Sequence, residues 1–132
     1  MNTSAEIVKG LYDSFAKGDV PAVLGTLDPN IEWREADNSP YADHNPYIGP
    51  AAIAEGVFHR VVTDIENFTV SPRHIIGGSD IIVVEGRYTG TIRSTGRRLN
   101  AQFAHVWELR NDKIVRFQQY TDTRQWADAA GF

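Results

Sequence analysis

At 132 residues the chain has room for one domain, residues 1–132, that buries roughly two-thirds of its unfolded surface, and none for a second. A net charge of −4 argues against the clustered positive surface that nucleic-acid phosphates require, and the lack of cysteine excludes disulfides, thiolate chemistry and cysteine-ligated zinc. The polar N-terminus is unlike a signal peptide and no apolar run approaches the roughly 20 residues of a membrane span, so the expected setting is the cytoplasm, with no membrane partner.

Thr3-Ser4-Ala5-Glu6 is a capping-box pattern, followed at helical spacing by Ile7, Val8, Leu11, Tyr12 and Phe15, with Gly18 as the stop. Asp19 caps a short second helix carrying Val20, Val23, Leu24 and Leu27, which ends at Asp28-Pro29-Asn30. Ile31 to Glu35 alternates as a strand with Ile31 and Trp33 on one side. The stretch from Ala36 to Gly49 is a long loop rich in Pro, Asn, Asp and Tyr, a length that suits a lid or binding loop. Pro50 opens a third helix with Ile53, Val57, Phe58, Val61 and Val62 as its apolar face. Phe68 to Ile76 reads as a strand in which Pro72 marks an edge or bulge, and three longer strands and a tail helix over Thr123 to Ala130 complete the chain. The order predicts an α+β fold: a curved antiparallel sheet with the helices of the N-terminal half gathered on one face.

Two hairpin registers decide which side chains meet. Thr95-Gly96 reads as a two-residue turn that sets Ser94 against Arg97, Val84 against Trp107, Gly86 against His105 and Tyr88 against Phe103. Asn111-Asp112 reads as a second such turn, setting Trp107 against Arg116, His105 against Gln118 and Phe103 against Tyr120. Alternation then puts Val84, Tyr88, Phe103, His105, Trp107, Gln118 and Tyr120 on one face, and Val83, Glu85, Arg87, Val106, Val115, Phe117 and Gln119 on the other. Both faces carry bulky apolar residues. One is expected under the helices, the other against a second subunit, which predicts a homodimer through the outer sheet face.

Phe15-Ala16-Lys17-Gly18-Asp19, Ile31-Glu32-Trp33, Tyr47-Ile48-Gly49-Pro50, Phe103-Ala104-His105-Val106-Trp107, Asp112-Lys113-Ile114 and Gln119-Tyr120-Thr121-Asp122 together resemble the nuclear transport factor 2-like superfamily, and within it the SnoaL-like, ketosteroid-isomerase-related proteins. The resemblance covers the whole chain. It implies a cone-shaped sheet with a pocket between sheet and helices, and it leaves the activity open, because one fold hosts many chemistries. Ketosteroid isomerases use a helix-one tyrosine, a protonated aspartic acid and a strand-one aspartate; aligned here, those positions hold Leu11, His105 and Trp33. The base is missing, and Tyr12, about 100° further round the helix, is a poor substitute, so that reaction is not expected. The pocket histidine and late-strand aspartate of the SnoaL-like cyclases look similar to His105 and Asp122. The aspartate-arginine-aspartate set of limonene epoxide hydrolases finds Arg87 but no partner at Thr89 or Gln119.

Catalysis is thus assigned to His105, whose imidazole titrates near neutral pH, with Tyr120 and Asp122 as further candidates. A satisfied core histidine bonded to Gln118 or water is the other reading of His105, and capping the tail helix is the other reading of Asp122. Trp33, Tyr47, Phe58, Val84, Tyr88, Phe103, Trp107 and Gln118 are expected to line the pocket. Gly86 and Gly90 leave room on the same face, either for a ligand or for coiling. His44 in the long loop is a second proton carrier or an exposed side chain. His59 and His74 show no metal-ligand spacing, so no metal or other cofactor is expected. The function read from the chain is a pocket for a small, partly apolar metabolite, with cofactor-independent isomerase, cyclase or lyase chemistry by proton transfer. A binding protein without turnover and a dimerising interaction module are the alternatives.

Overall fold

The computed structural model describes residues 3–132. Helix α1, Ser4–Ala16, starts on the expected capping box, Thr3 accepting from the Glu6 N–H and Glu6 reaching back to the Thr3 N–H. Gly18, at φ +73°, turns the chain into α2, Val20–Gly25, capped by Asp19. Strand β1, Leu27–Arg34, begins earlier than expected. A single 3₁₀ turn, Ala42–His44, and a two-residue strand β2, Tyr47–Ile48, organise the long loop. A helical stretch over residues 50–64 follows, built from α3 (Pro50–Ile53), a π-helical segment (Ala54–Phe58) and α4 (His59–Asp64). Then come β3 (Ile65–Gly77), β4 (Ile81–Ile92), β5 (Arg98–Arg110), β6 (Lys113–Thr121) and the tail helix α5 (Thr123–Ala130).

The six strands form one sheet in the order β2-β1-β6-β5-β4-β3. Neighbours are antiparallel except β1 and β6, which run parallel. Helix α1 packs across β3 and β4, and a single core of Val8, Leu11, Ile31, Trp33, Ile53, Val84, Leu99, Trp107, Ile114 and Phe117 lies between the helices and the inner sheet face. No helix among the described residues is long and apolar enough to cross a membrane.

Both hairpin registers differ from expectation, with different consequences. Between β4 and β5, Val84 faces His105, Gly86 faces Phe103 and Tyr88 faces Ala101. The connection is longer than two residues, Ile92 and Arg97 being joined by a backbone bond of 2.9 Å. That slip is by two residues, so every side chain stays on its predicted face. Between β5 and β6 the turn is as expected, with Arg110 against Lys113 and Leu109 against Ile114, but Glu108 then faces Arg116. Val115 is an extra residue in β6, a bulge, and the odd shift exchanges the two faces of the strand beyond it. Phe117 and Gln119 turn inward, both buried, while Gln118 and Tyr120 turn outward, Tyr120 being 56% exposed. The physical reason is hydrophobic: the unbulged register would have put Arg116 against Trp107 in the core and Phe117 in water.

Candidate active site

Between α1, the 50–64 helical stretch and the inner sheet face lies a cavity of about 70 Å³. That holds several water-sized groups and falls short of the ~300–1,000 Å³ of drug-sized ligand sites. Its walls are mostly apolar: Leu11, Phe15, Trp33, Phe58, Trp107 and Phe117 are among them, with Tyr41 and Trp126. The π-helical turn brings consecutive residues Val57 and Phe58 both into this lining. Its polar groups are Tyr12, Glu35, Tyr88, His105 and Gln119.

His105 sits on β5 at the centre of this set, 5% exposed, with the Phe103 ring stacked on it at 3.9 Å. Its Nδ1 lies 2.6 Å from the Tyr12 hydroxyl and its Nε2 is in hydrogen-bond contact with the Tyr88 hydroxyl. Trp107 Nε1 donates to Tyr12 Oη at 3.0 Å and Gln119 Nε2 donates to Tyr88 Oη at 2.8 Å. Gln119 is in turn fixed by its Oε1, which accepts the Ala36 N–H at 3.0 Å. Burial drives the His105 pKa down from 6.5 to about 3, so the ring is neutral at physiological pH. Both tyrosine hydroxyls are held above their ordinary range by the same desolvation.

Glu35 follows the end of β1 and is 4% exposed. Its backbone is held by the Asn45 side chain, whose Oδ1 accepts the Glu35 N–H at 3.0 Å while its Nδ2 donates to the Glu35 carbonyl at 2.8 Å. Trp33 Nε1 donates to its carboxylate at 2.9 Å. Desolvation pushes its pKa from 4.5 up to about 7, against the smaller opposing pulls of that hydrogen bond and of Arg60. A buried carboxyl poised near neutrality in a cavity beside hydroxyl donors has the composition of a proton-transfer site.

The cavity differs from the expected site in several places. Trp33, Phe58, Tyr88, His105 and Trp107 line it, whereas Tyr47, Val84, Phe103 and Gln118 do not. Tyr47 is buried against Gly56, where no Cβ would fit, and its hydroxyl donates to the Tyr41 carbonyl at 2.6 Å. Val84 is fully buried in the core. Phe103 supports the imidazole from beside it, filling the space over Gly86. Gly90 is likewise closed by Ile65 and the β3 backbone, so neither glycine opens the cavity. Gln118 and Tyr120 are carried to the outer face by the bulge, so the partners of His105 are two tyrosines rather than Gln118. Asp122 is the N-cap of α5, its Oδ1 accepting the Gln125 N–H at 3.1 Å, and it does not line the cavity. His44 is exposed beside Asp43. The long loop is fastened by Asp43 to Arg60 at 2.8 Å and by the Tyr41 hydroxyl to Asp64 at 3.0 Å. No cluster of three or more metal-ligating side chains occurs among the described residues.

Of the polar cavity side chains, the sequence reading set Tyr12 aside and passed over Glu35. Tyr12 points into the cavity although the alignment gave that position to Leu11; both are buried on α1. Glu35 was visible in principle, since alternation along β1 places it on the same side as Ile31 and Trp33. The signal was a carboxylate on an otherwise apolar strand face.

The comparisons agree with this architecture. A family model described as a SnoaL-like domain matches residues 8–117. An NTF2-like protein from Burkholderia thailandensis E264 is 33% identical, with 98% of each chain covered and a TM-score of 0.93. An NTF2-like protein from Burkholderia pseudomallei K96243 is 28% identical, with 100% of each chain covered and a TM-score of 0.88. TerC, solved after co-crystallisation with polyporic acid, is 25% identical over 98% of each chain, with a TM-score of 0.85. No match is found among curated proteins.

Proposed function

This chain belongs to the SnoaL-like domain family of the NTF2-like superfamily, and on that premise we propose that it is a cofactor-independent acid–base enzyme for a small, partly apolar carbonyl compound, with Glu35 as the proton carrier. The observation that carries the reading is the Glu35 carboxyl, buried yet poised at about pH 7 in the cavity that Tyr12 and Tyr88 also line. A general base is most effective when its pKa lies near the working pH. The carboxylate takes a proton from the carbon next to the carbonyl, the C–H electron pair moves into a new C=C bond, and the carbonyl oxygen gains the negative charge. A tyrosine hydroxyl donates to that oxygen, and Glu35 returns the proton to the original or a neighbouring carbon. Trp33, Phe58 and Trp107 shape the apolar walls. His105 is a positioning residue in this scheme, because both its nitrogens are engaged and it stays neutral. Co-crystallisation of the similar protein TerC with polyporic acid supports a small organic molecule as the kind of ligand this fold takes.

The test is exchange of α-hydrogens for deuterium in small cyclic ketones and lactones, followed by NMR in D₂O. The wild-type protein should accelerate exchange, and Glu35→Gln should lower the rate about 10²–10⁴-fold while retaining ligand binding. Equal rates for the two proteins would remove Glu35 from the chemistry, and binding without exchange would support a carrier in place of an enzyme. We also propose that the outer sheet face is a homodimer interface, on the strength of exposed Ile76, Ile81 and Tyr120.

A further inference from the structure

The hydrogen bonds around His105 can be counted. With a neutral imidazole, the set Tyr12, His105 and Tyr88 carries three polar hydrogens, one on each hydroxyl and one on the ring. Two contacts join the three groups, Tyr12 to Nδ1 and Tyr88 to Nε2. Each contact consumes one hydrogen. One hydroxyl hydrogen is therefore left over, and the ring tautomer decides which tyrosine owns it. If the ring hydrogen is on Nε2, it points at Tyr88, Tyr12 must donate to Nδ1, and the spare hydrogen belongs to Tyr88. If it is on Nδ1, the spare hydrogen belongs to Tyr12.

The outer partners do not break the tie, since Tyr12 accepts from Trp107 and Tyr88 accepts from Gln119. Glu35 breaks it. Gln119 bonds the Tyr88 hydroxyl through its Nε2 and the Ala36 N–H, next in the chain to Glu35, through its Oε1, so the Glu35 segment is tied to the Tyr88 side of the ring, and the carboxyl acts electrostatically on Tyr88. A negative group favours the arrangement that leaves a hydroxyl hydrogen in its own field.

We propose that His105 is the Nε2–H tautomer and that the Tyr88 hydroxyl, on the sheet, is the donor presented to a bound carbonyl oxygen, while Tyr12 on the first helix is spent in orienting the imidazole. The chain of donation then runs one way, from Trp107 to Tyr12 to His105 to Tyr88, each bond polarising the next. The Tyr12–His105–Tyr88 set offers one hydrogen, and among the described residues no cationic side chain lines the cavity and its one carboxyl is that of Glu35. The chemical class that fits is an uncharged molecule with an acceptor oxygen, a ketone, lactone or quinone-type carbonyl, in preference to a carboxylate or phosphate. This use of the spare hydrogen rests on the proton-transfer reading above; the tautomer itself does not.

The experiment is ¹⁵N NMR of the protein labelled in its histidines, at neutral pH and without ligand. His44, His59 and His74 are exposed and are replaced by glutamine, leaving the His105 signals. The expected spectrum shows a directly bonded hydrogen on Nε2 and none on Nδ1. A hydrogen on Nδ1, comparable populations of the two tautomers, or an imidazolium with both nitrogens protonated would each overturn the proposal. The result is independent of turnover, so failure of the deuterium-exchange test and failure of this one are separate events.

Discussion

Glu35 and His105 are both buried titratable groups, and they pull the pH dependence of stability in opposite directions. The Glu35 pKa rises from 4.5 to about 7 on folding, so its folded form holds a proton that the unfolded chain has lost. Its cost is absent below about pH 4.5, grows as pH rises, and is complete above about 7, where it reaches about 3 kcal/mol. The His105 pKa falls from 6.5 to about 3, so the unfolded chain is the one that takes up a proton. Its destabilisation is absent above pH 6.5 and grows as pH falls toward 3. Between about 4.5 and 6.5 the two proton inventories cancel, and below that window only the histidine acts. Chemical denaturation across pH should therefore show stability that barely changes from 4.5 to 6.5, where the two costs add to a nearly constant penalty of about 3 kcal/mol, and a steep fall beneath that window. Glu35→Gln should stabilise the protein by up to about 3 kcal/mol at pH 8 and by almost nothing at pH 4. An equal effect at both pH values would show that Glu35 is not protonated on folding.

At the scale of elements, the site depends on how β1 ends and on the bulge in β6. Strand β1 stops at Arg34, and the two Asn45 hydrogen bonds replace a strand partner for Glu35. Asn45→Ala removes both. It should cost about 1–3 kcal/mol in denaturant melts and lower the exchange rate through misplacement of Glu35; unchanged stability would mean that the loop holds Glu35 by other contacts. The elements themselves were legible in the chain, because caps at Thr3, Asp19 and Asp122 and the apolar periodicity of α1 are local signals. Faces on β4 and β5 also survived, since the turn at residues 93–96 erred by an even number. The lining contributed by β6 was not legible by turn chemistry, which is local to Asn111-Asp112 while the bulge lies beyond it. Its trace was compositional: Ile114 and Phe117 are three apart, and no unbulged strand turns both inward. Glu35 was overlooked for a different reason. A family alignment centred on Trp33 directed attention two residues too early.

For the whole molecule, the helices cover one face of the sheet and leave the other to solvent or a partner. Half-buried Val83 and Val106 join exposed Ile81 and Tyr120 on that outer face, among Glu85, Arg87 and Arg116. Sedimentation velocity should find a dimer, and Val106→Glu, which places a charge at the centre of the apolar strip, should shift it to monomer at micromolar concentration. A wild-type monomer would leave the face without the assigned role. The cavity lies on the opposite side of the sheet, so its chemistry and the assembly can be altered separately. The extra residue at Val115 gives the fold one more property, a hereditary one. Losing or gaining a single codon there would exchange an entire row of side chains between cavity and exterior, while the turn at Asn111-Asp112 and the tail helix keep their own local codes. In such a sheet wall, insertions and deletions rather than substitutions are the mutational steps that would recast what the site admits.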